Sequence, residues 1–204
     1  MHYKKICGDK IYFSPLRAES IQLITKWAND EDSACSLGNY YLNFTEELEK
    51  QIISQKSMDS SVYKFEIHDS KTDNFIGVCD LHCVSFKDRY AEIGYNIGEK
   101  DYRNKGYGTE AIKLLCDYAF NILNIKNLVM TIYDFNIASI KCAEKNHFQL
   151  TGKIKEKYYC KGKYSDMLFF QLNKSTFEQH FDSIYTKKGW SSHPFLLNLS
   201  IVYL

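Results

Sequence analysis

Apolar positions along the chain switch between two periods, and the switches mark out its elements. Residues 10–16 read as a short strand ending near Pro15. Ile21, Leu23, Ile24, Trp27 and Ala28 then recur at helical spacing, predicting a helix over 18–29. Residues 30–44 carry the breakers Gly38, Asn39 and Asn43 and are expected to be irregular. Thr45 followed by Glu46, Glu47 and Glu49 has the form of an N-cap with an acidic first turn, which predicts a second helix to about Lys56. Three strand-like runs follow at 62–67, 75–84 and 90–97, separated by turn-like segments, as in an antiparallel meander. A helix over 108–123, a strand over 128–133, a helix over 136–146 and a hairpin of 148–159 with 164–172 around Lys161-Gly162-Lys163 complete the pattern. The order β-α-α-β-β-β-α-β-α-β-β is that of a mixed α/β domain rather than a regularly alternating βαβ protein.

That domain is expected to occupy residues 1–172. Residues 173–204 read as a C-terminal extension, with a short helix near 175–185 and an apolar run at 195–204 suited to an added strand or an oligomer contact such as a homodimer. Among 204 residues the net charge is +1, so bulk electrostatics favours neither nucleic acid nor a membrane surface as partner. The N-terminal residues lack the apolar stretch of a signal peptide, and no apolar run reaches the roughly 18 residues of a membrane span. The seven cysteines are scattered and mostly sit in apolar runs, as free buried thiols do, pointing to a reduced, cytoplasmic protein. Cys79, His82 and Cys83 are metal-type ligands close in sequence. On a strand His82 would face away from the two cysteines, and no second cluster completes a tetrahedral site, so no metal is expected.

The strongest chemical signal is Arg103-Asn104-Lys105-Gly106-Tyr107-Gly108, placed between the strand over 90–97 and the helix that opens at Thr109. Glycines let backbone approach a ligand, and a helix N-terminus offers N–H groups and the positive end of a dipole, so a phosphate-bearing ligand is expected here. A Walker A loop requires Gly-Lys-Ser/Thr, and Gly108-Thr109 lacks the lysine. A dinucleotide fingerprint requires a βαβ context, and the preceding elements are a meander.

Arg-x-x-Gly-x-Gly after an antiparallel strand and opening a helix resembles the acetyl-CoA loop of the GNAT acetyltransferase superfamily. The resemblance extends over residues 10–172 and includes Ala91-Glu-Ile-Gly-Tyr95, Thr109-Glu-Ala111, Asn136-x-x-Ser139 and Glu144-Lys145-x-x-Phe148. Within the superfamily these motifs together resemble the branch of ribosomal-protein alanine and spermidine acetyltransferases. It implies a mixed sheet with helices on both faces, acetyl-CoA as co-substrate without a metal, and an amine acceptor, either a small polyamine-like amine or a protein N-terminus. It places the cofactor against Tyr95, Asn96 and Ile97, the loop residues Arg103, Asn104, Lys105, Gly106, Tyr107, Gly108 and Thr109, and Asn136 and Ser139. Asn136 also suits a helix N-cap.

Acetyl transfer needs an amine stripped of its proton, a stabilised thioester oxygen and a protonated leaving thiolate. Direct transfer in a ternary complex needs no covalent intermediate, so no cysteine is required. Glu92, a carboxylate in a weakly polar strand beside the loop, is the candidate base; a purely structural hydrogen-bonding role fits it equally. The family's usual helix tyrosine is replaced by Ala143, which leaves Ser139, Tyr133 or water to protonate the thiolate, with Ser139 the candidate. That replacement also keeps a second reading open, a non-catalytic acetyl-CoA-binding regulatory domain. His147 stands where the family has glycine and has to take a glycine-like conformation. Asp80 and His82 share one strand face and could line an acceptor cleft. Asp30, Glu31 and Asp32 would suit a cationic acceptor, or form a solvated acidic turn.

Overall fold

The computed structural model describes residues 3–57 and 59–184. Among the described residues eight strands form one sheet: β1 (Ile6–Cys7), β2 (Ile11–Pro15), β3 (Tyr63–Asp69), β4 (Phe75–Ser85), β5 (Tyr90–Ile97), β6 (Asn127–Tyr133), β7 (Gln149–Cys160) and β8 (Lys163–Asn173), in the spatial order β1-β2-β3-β4-β5-β6-β8-β7. β1 to β5 are an antiparallel meander, β5 and β6 run parallel, and β6, β8 and β7 are antiparallel again. The helices are α1 (Ile21–Ala28), α2 (Glu31–Ser36), α3 (Glu46–Ser57), α4 (Tyr107–Asn121), α5 (Ile137–Lys145) and α6 (Lys174–His180). No helix among the described residues is long and apolar enough to cross a membrane.

The pleat sorts side chains onto two faces. On one face Phe13, Phe65, Ile67, Cys79, Leu81, Ala91 and Ile93 pack under α4, whose Tyr118 meets Phe65 edge-on at 5.6 Å. On the other face α1 docks through Trp27, 4.8 Å from the Phe75 ring, and through Ser20 just before the helix, whose hydroxyl bonds Glu66 of β3. The parallel β5–β6 step requires a crossover, and α4 supplies it.

Two features depart from the sequence reading, and a third, the short helix expected near 175–185, is present as α6. Residues 30–44 are not irregular throughout, because Asp30 accepts the Ser33 N–H at 3.2 Å and starts α2, with Glu31 and Asp32 in its first turn. The breakers act only after that helix. Cys35 and Cys160 are joined in a disulfide across 125 residues, so these two are not the free thiols their scatter suggested. Cys7, Cys79, Cys83, Cys116 and Cys142 form no disulfide among the described residues. α6 packs into the main core: Phe177 is buried, Lys174 donates to the Phe120 carbonyl, and the Ile184 N–H donates to Asp117. The apolar run at 195–204 lies outside the described residues.

Candidate active site

β5 and β6 pair only through Tyr90↔Asn127, Ala91↔Leu128 and Glu92↔Val129. Beyond Glu92 the strands part, while β6 stays paired with β8 as far as Tyr133. The parting leaves backbone N–H and C=O groups along that edge of β5 to be satisfied from the gap. A cleft of about 540 Å³ fills the gap, walled by Ile93–Ile97 on one side and Met130–Tyr133 on the other. Residues from both faces of the sheet line it: Gly108 and Thr109 of α4 and Ser139 of α5, and Asp32, Ser33 and Ser36 of α2.

The loop into α4 reaches the cleft through two left-handed residues, Asn104 (φ 59°) and Gly106 (φ 88°). Gly106 is the N-cap of α4, with no side chain accepting from the first turn, so that helix end presents its N–H groups outward. A Cβ on Gly108 would lie 2.8 Å from the Tyr95 ring, so only glycine lets the first turn close onto β5. Two polar contacts brace this arrangement from behind. Glu110 accepts the N–H groups of Asp9 and Lys10 at 2.7 and 2.8 Å, and Lys10 Nζ donates to the Lys105 carbonyl at 3.0 Å. Arg103 also acts as a brace: Nε donates to the Ile97 carbonyl at 2.8 Å, and Nη2 to the Gly98 carbonyl and the Ser33 hydroxyl. The Tyr107 hydroxyl donates to Asp69 at 2.6 Å, which turns its ring away from the cleft.

On the α4 side of the sheet, Asn136 caps α5 by accepting the Ser139 N–H at 3.1 Å. The Ser139 hydroxyl shares a hydrogen bond of 3.1 Å with the Tyr95 hydroxyl. Burial, with Cys142 nearby, pushes the Tyr95 phenol far above its ordinary value, so it stays protonated. Lys141 and Lys145, one turn apart on α5, also line the cleft. His147 closes α5 with φ 62°, the conformation glycine takes more easily.

On the opposite face Asp80, His82 and Glu92 form a chain. Asp80 Oδ1 lies 2.7 Å from His82 Nδ1, and Glu92 Oε2 lies 3.5 Å from His82 Nε2. The Tyr90 hydroxyl donates to Glu92 Oε1 at 2.9 Å. The acidic turn divides. Asp30 pairs with Lys100 at 2.6 Å and Glu31 with Lys161 at 2.8 Å, while Asp32 lines the cleft. Burial works against the Asp30 carboxylate, but Lys100 and the Ser33 N–H outweigh it and hold its pKa below the ordinary value.

Of the residues expected from sequence to form the site, Tyr95, Asn96, Ile97, Arg103, Asn104, Gly106, Gly108, Thr109, Asn136 and Ser139 line one cleft. Glu92, Lys105 and Tyr107 are not among the described lining residues; the Tyr107 side chain and the Lys105 carbonyl are engaged elsewhere. On the far wall sequence reasoning singled out Tyr133 but missed Met130, Thr131 and Ile132, because nothing in an apolar strand announces that its neighbour will diverge from it. It also missed Lys141 and Lys145, although their spacing of four on a predicted helix was visible. Cys79 is buried under α4, His82 faces the other side, and Cys83 is exposed at a bulge with φ 52°.

The chain resembles known proteins along most of its length. It is 32% identical over 124 residues to the uncharacterized N-acetyltransferase p20 of Bacillus licheniformis, covering 61% of this chain and 69% of that protein. It is 28% identical over 148 residues to the acetyltransferase PseH of Campylobacter jejuni, covering 72% of this chain and 88% of the other. The fold superposes on the crystal structure of spermidine N-acetyltransferase from Vibrio cholerae in complex with CoA and spermine with a TM-score of 0.77, at 19% identity, over 84% of this chain and 99% of that one. The family description "Acetyltransferase (GNAT) domain" matches residues 10–149. With that match spanning the loop, the parted strands and α5, the chain belongs to the GNAT family of acetyltransferases.

Proposed function

We propose that this protein transfers acetyl from acetyl-CoA to a primary amine by direct attack within a ternary complex. One observation carries the reading: a single cleft reaches from the open N-terminus of α4, through the sheet, to His82 and Asp32 on the opposite face. A pyrophosphate suits the N–H groups from Gly106 to Thr109, where the loop geometry and the helix dipole both favour an anion. Arg103 serves this site by holding the end of β5 in place. Lys141 and Lys145 add positive charge along the same wall. An extended pantetheine arm suits the edge of β5 at Tyr95–Ile97 that β6 leaves, where Arg103 already occupies the Ile97 carbonyl. The same edge offers N–H groups to the thioester oxygen as it gains charge.

Proton traffic divides between the two faces. On the α4 side Ser139, backed by the protonated Tyr95 hydroxyl, is placed to deliver a proton to the departing thiolate. On the other side the carboxylate–imidazole chain that includes Glu92 receives the amine's proton. The acceptor is a small cationic amine of the polyamine kind or a protein N-terminus. Asp32, on the cleft wall, supports a cationic acceptor. A spermidine N(1)-acetyltransferase of Escherichia coli, 28% identical over 117 residues, supports the same class.

The test is release of free CoA thiol from acetyl-CoA with a panel of polyamines, other primary amines and N-terminal peptides. Thiol release at matched acetylation of one class is the expected result. Tight CoA binding without release on any acceptor would overturn the reading in favour of a regulatory acetyl-CoA-binding domain.

A further inference from the structure

We propose that His82, rather than Glu92, takes the proton from the acceptor amine, with Asp80 and Glu92 acting through it as positioning residues. The inference rests on the transferase reading above and assigns the proton acceptor within it. His82 lines the cleft, on the face from which α2 contributes Asp32, Ser33 and Ser36; Glu92 is not among the described lining residues. Directly opposite on adjacent strands, His82 and Glu92 share that face, and Asp80 joins them two residues along β4.

The hydrogen bonds set the ring's chemistry. A carboxylate only accepts, so the Asp80 contact of 2.7 Å holds the proton of a neutral imidazole on Nδ1. The lone pair is then on Nε2, the nitrogen that can receive a proton. Glu92 Oε2, 3.5 Å from Nε2, is fixed at its other oxygen by the Tyr90 hydroxyl and stabilises the imidazolium once it forms. Gly94 makes room for the pair, since a Cβ there would lie 2.9 Å from Asp80 Oδ1. Other titratable groups on the elements beside His82 include Cys83 on β4, Tyr90 on β5, Lys64 on β3 opposite Asp80, and Asp32 of α2.

The step balances as follows. An ammonium acceptor gives one proton to His82 Nε2, and that proton passes on to water. The freed nitrogen lone pair forms the N–C bond to the thioester carbon, and the C–S bond breaks with its electron pair leaving on sulfur. The second proton shed by nitrogen is matched by the one the thiolate gains on the Ser139 side, so the products are the amide, CoA thiol and one proton in solution.

The experiment is the pH dependence of kcat/KM for the wild type, His82→Gln and Asp80→Asn, with CoA affinity measured by calorimetry. His82→Gln should lower kcat/KM by about 10²- to 10³-fold near neutral pH. The gap should narrow as pH rises and free amine accumulates. Asp80→Asn should move the acidic limb of the profile to lower pH with a smaller loss, and neither variant should change CoA affinity. A wild-type profile in His82→Gln, or a loss equal at every pH, overturns the proposal. If His82→Gln also loses CoA binding, Asp80→Asn decides alone, and an unshifted limb overturns it. A wild type that binds CoA but acetylates no amine removes the transferase reading, and this inference with it; turnover with an indifferent His82 removes this inference only.

Discussion

Replacing Gly106 by valine is expected to weaken CoA binding by about 10²-fold or more while the domain stays folded. Gly106 holds φ 88° at the entrance to α4, a conformation that β-branched residues rarely adopt. Valine either relaxes that angle, which re-aims the N–H groups of Tyr107, Gly108 and Thr109, or keeps it and puts two methyl groups where the proposed pyrophosphate would approach. The loss of two charge-assisted hydrogen bonds is enough for the stated factor. The fold should survive because the close contact a Cβ makes there is with Lys10 Nζ at 3.3 Å, the far end of a flexible side chain that can give way. Calorimetry for CoA, paired with a thermal melt, separates the two effects. A folded variant with undiminished CoA affinity would take the phosphate site away from this loop.

Removing the Glu66 carboxylate is the change with the largest expected effect on stability. Glu66 is fully buried between β3 and the start of α1. It accepts the Arg17 N–H at 2.8 Å, Arg17 Nε at 3.2 Å, the Ser20 hydroxyl, and a bond with His68 Nε2 at 2.8 Å. Glu66→Ala takes the acceptor away from buried Ser20 and His68 and from partly buried Arg17, and should cost roughly 3–5 kcal/mol in urea unfolding at neutral pH. Burial pushes the Glu66 pKa up, but His68, Ser20 and Arg17 outweigh it and hold it below its ordinary 4.5. A depressed pKa in the folded state means the carboxylate stabilises the fold above about pH 4.5, and that contribution drains away as pH falls through the lowered value. Glu66→Gln, which does not titrate, should therefore flatten this part of the acid slope. A Glu66→Ala variant with the wild-type urea midpoint would show that the network contributes nothing.

How much of this was legible depended on the range of the cause. The glycine loop, the helix after it and the Asn136 cap are local, and each lies where its own sequence places it. The meander was legible because turn residues punctuate alternating runs. α2 was hidden by the breakers that follow it, although Asp30 and Ser33 already carried the cap. Long-range pairings had no local signal. Asp30 and Glu31 meet Lys100 and Lys161, and Cys35 meets Cys160, only once the β7–β8 hairpin and the loop before α4 have folded beside α2. Glu92 was singled out by its charge, yet on the folded sheet it is His82 that lies on the cleft wall.

The parting of β5 from β6 also has a kinetic consequence. Under the proposed reaction, a cleft lined from both faces of the sheet would give each reactant its own door, so occupancy of one would leave the other open. Initial-rate plots at fixed acceptor should then intersect rather than run parallel. Desulfo-CoA should compete with acetyl-CoA and not with the amine, and a dead-end amine should show the reverse. Because neither reactant has to leave before the other arrives, high concentrations of one should not shut out its partner.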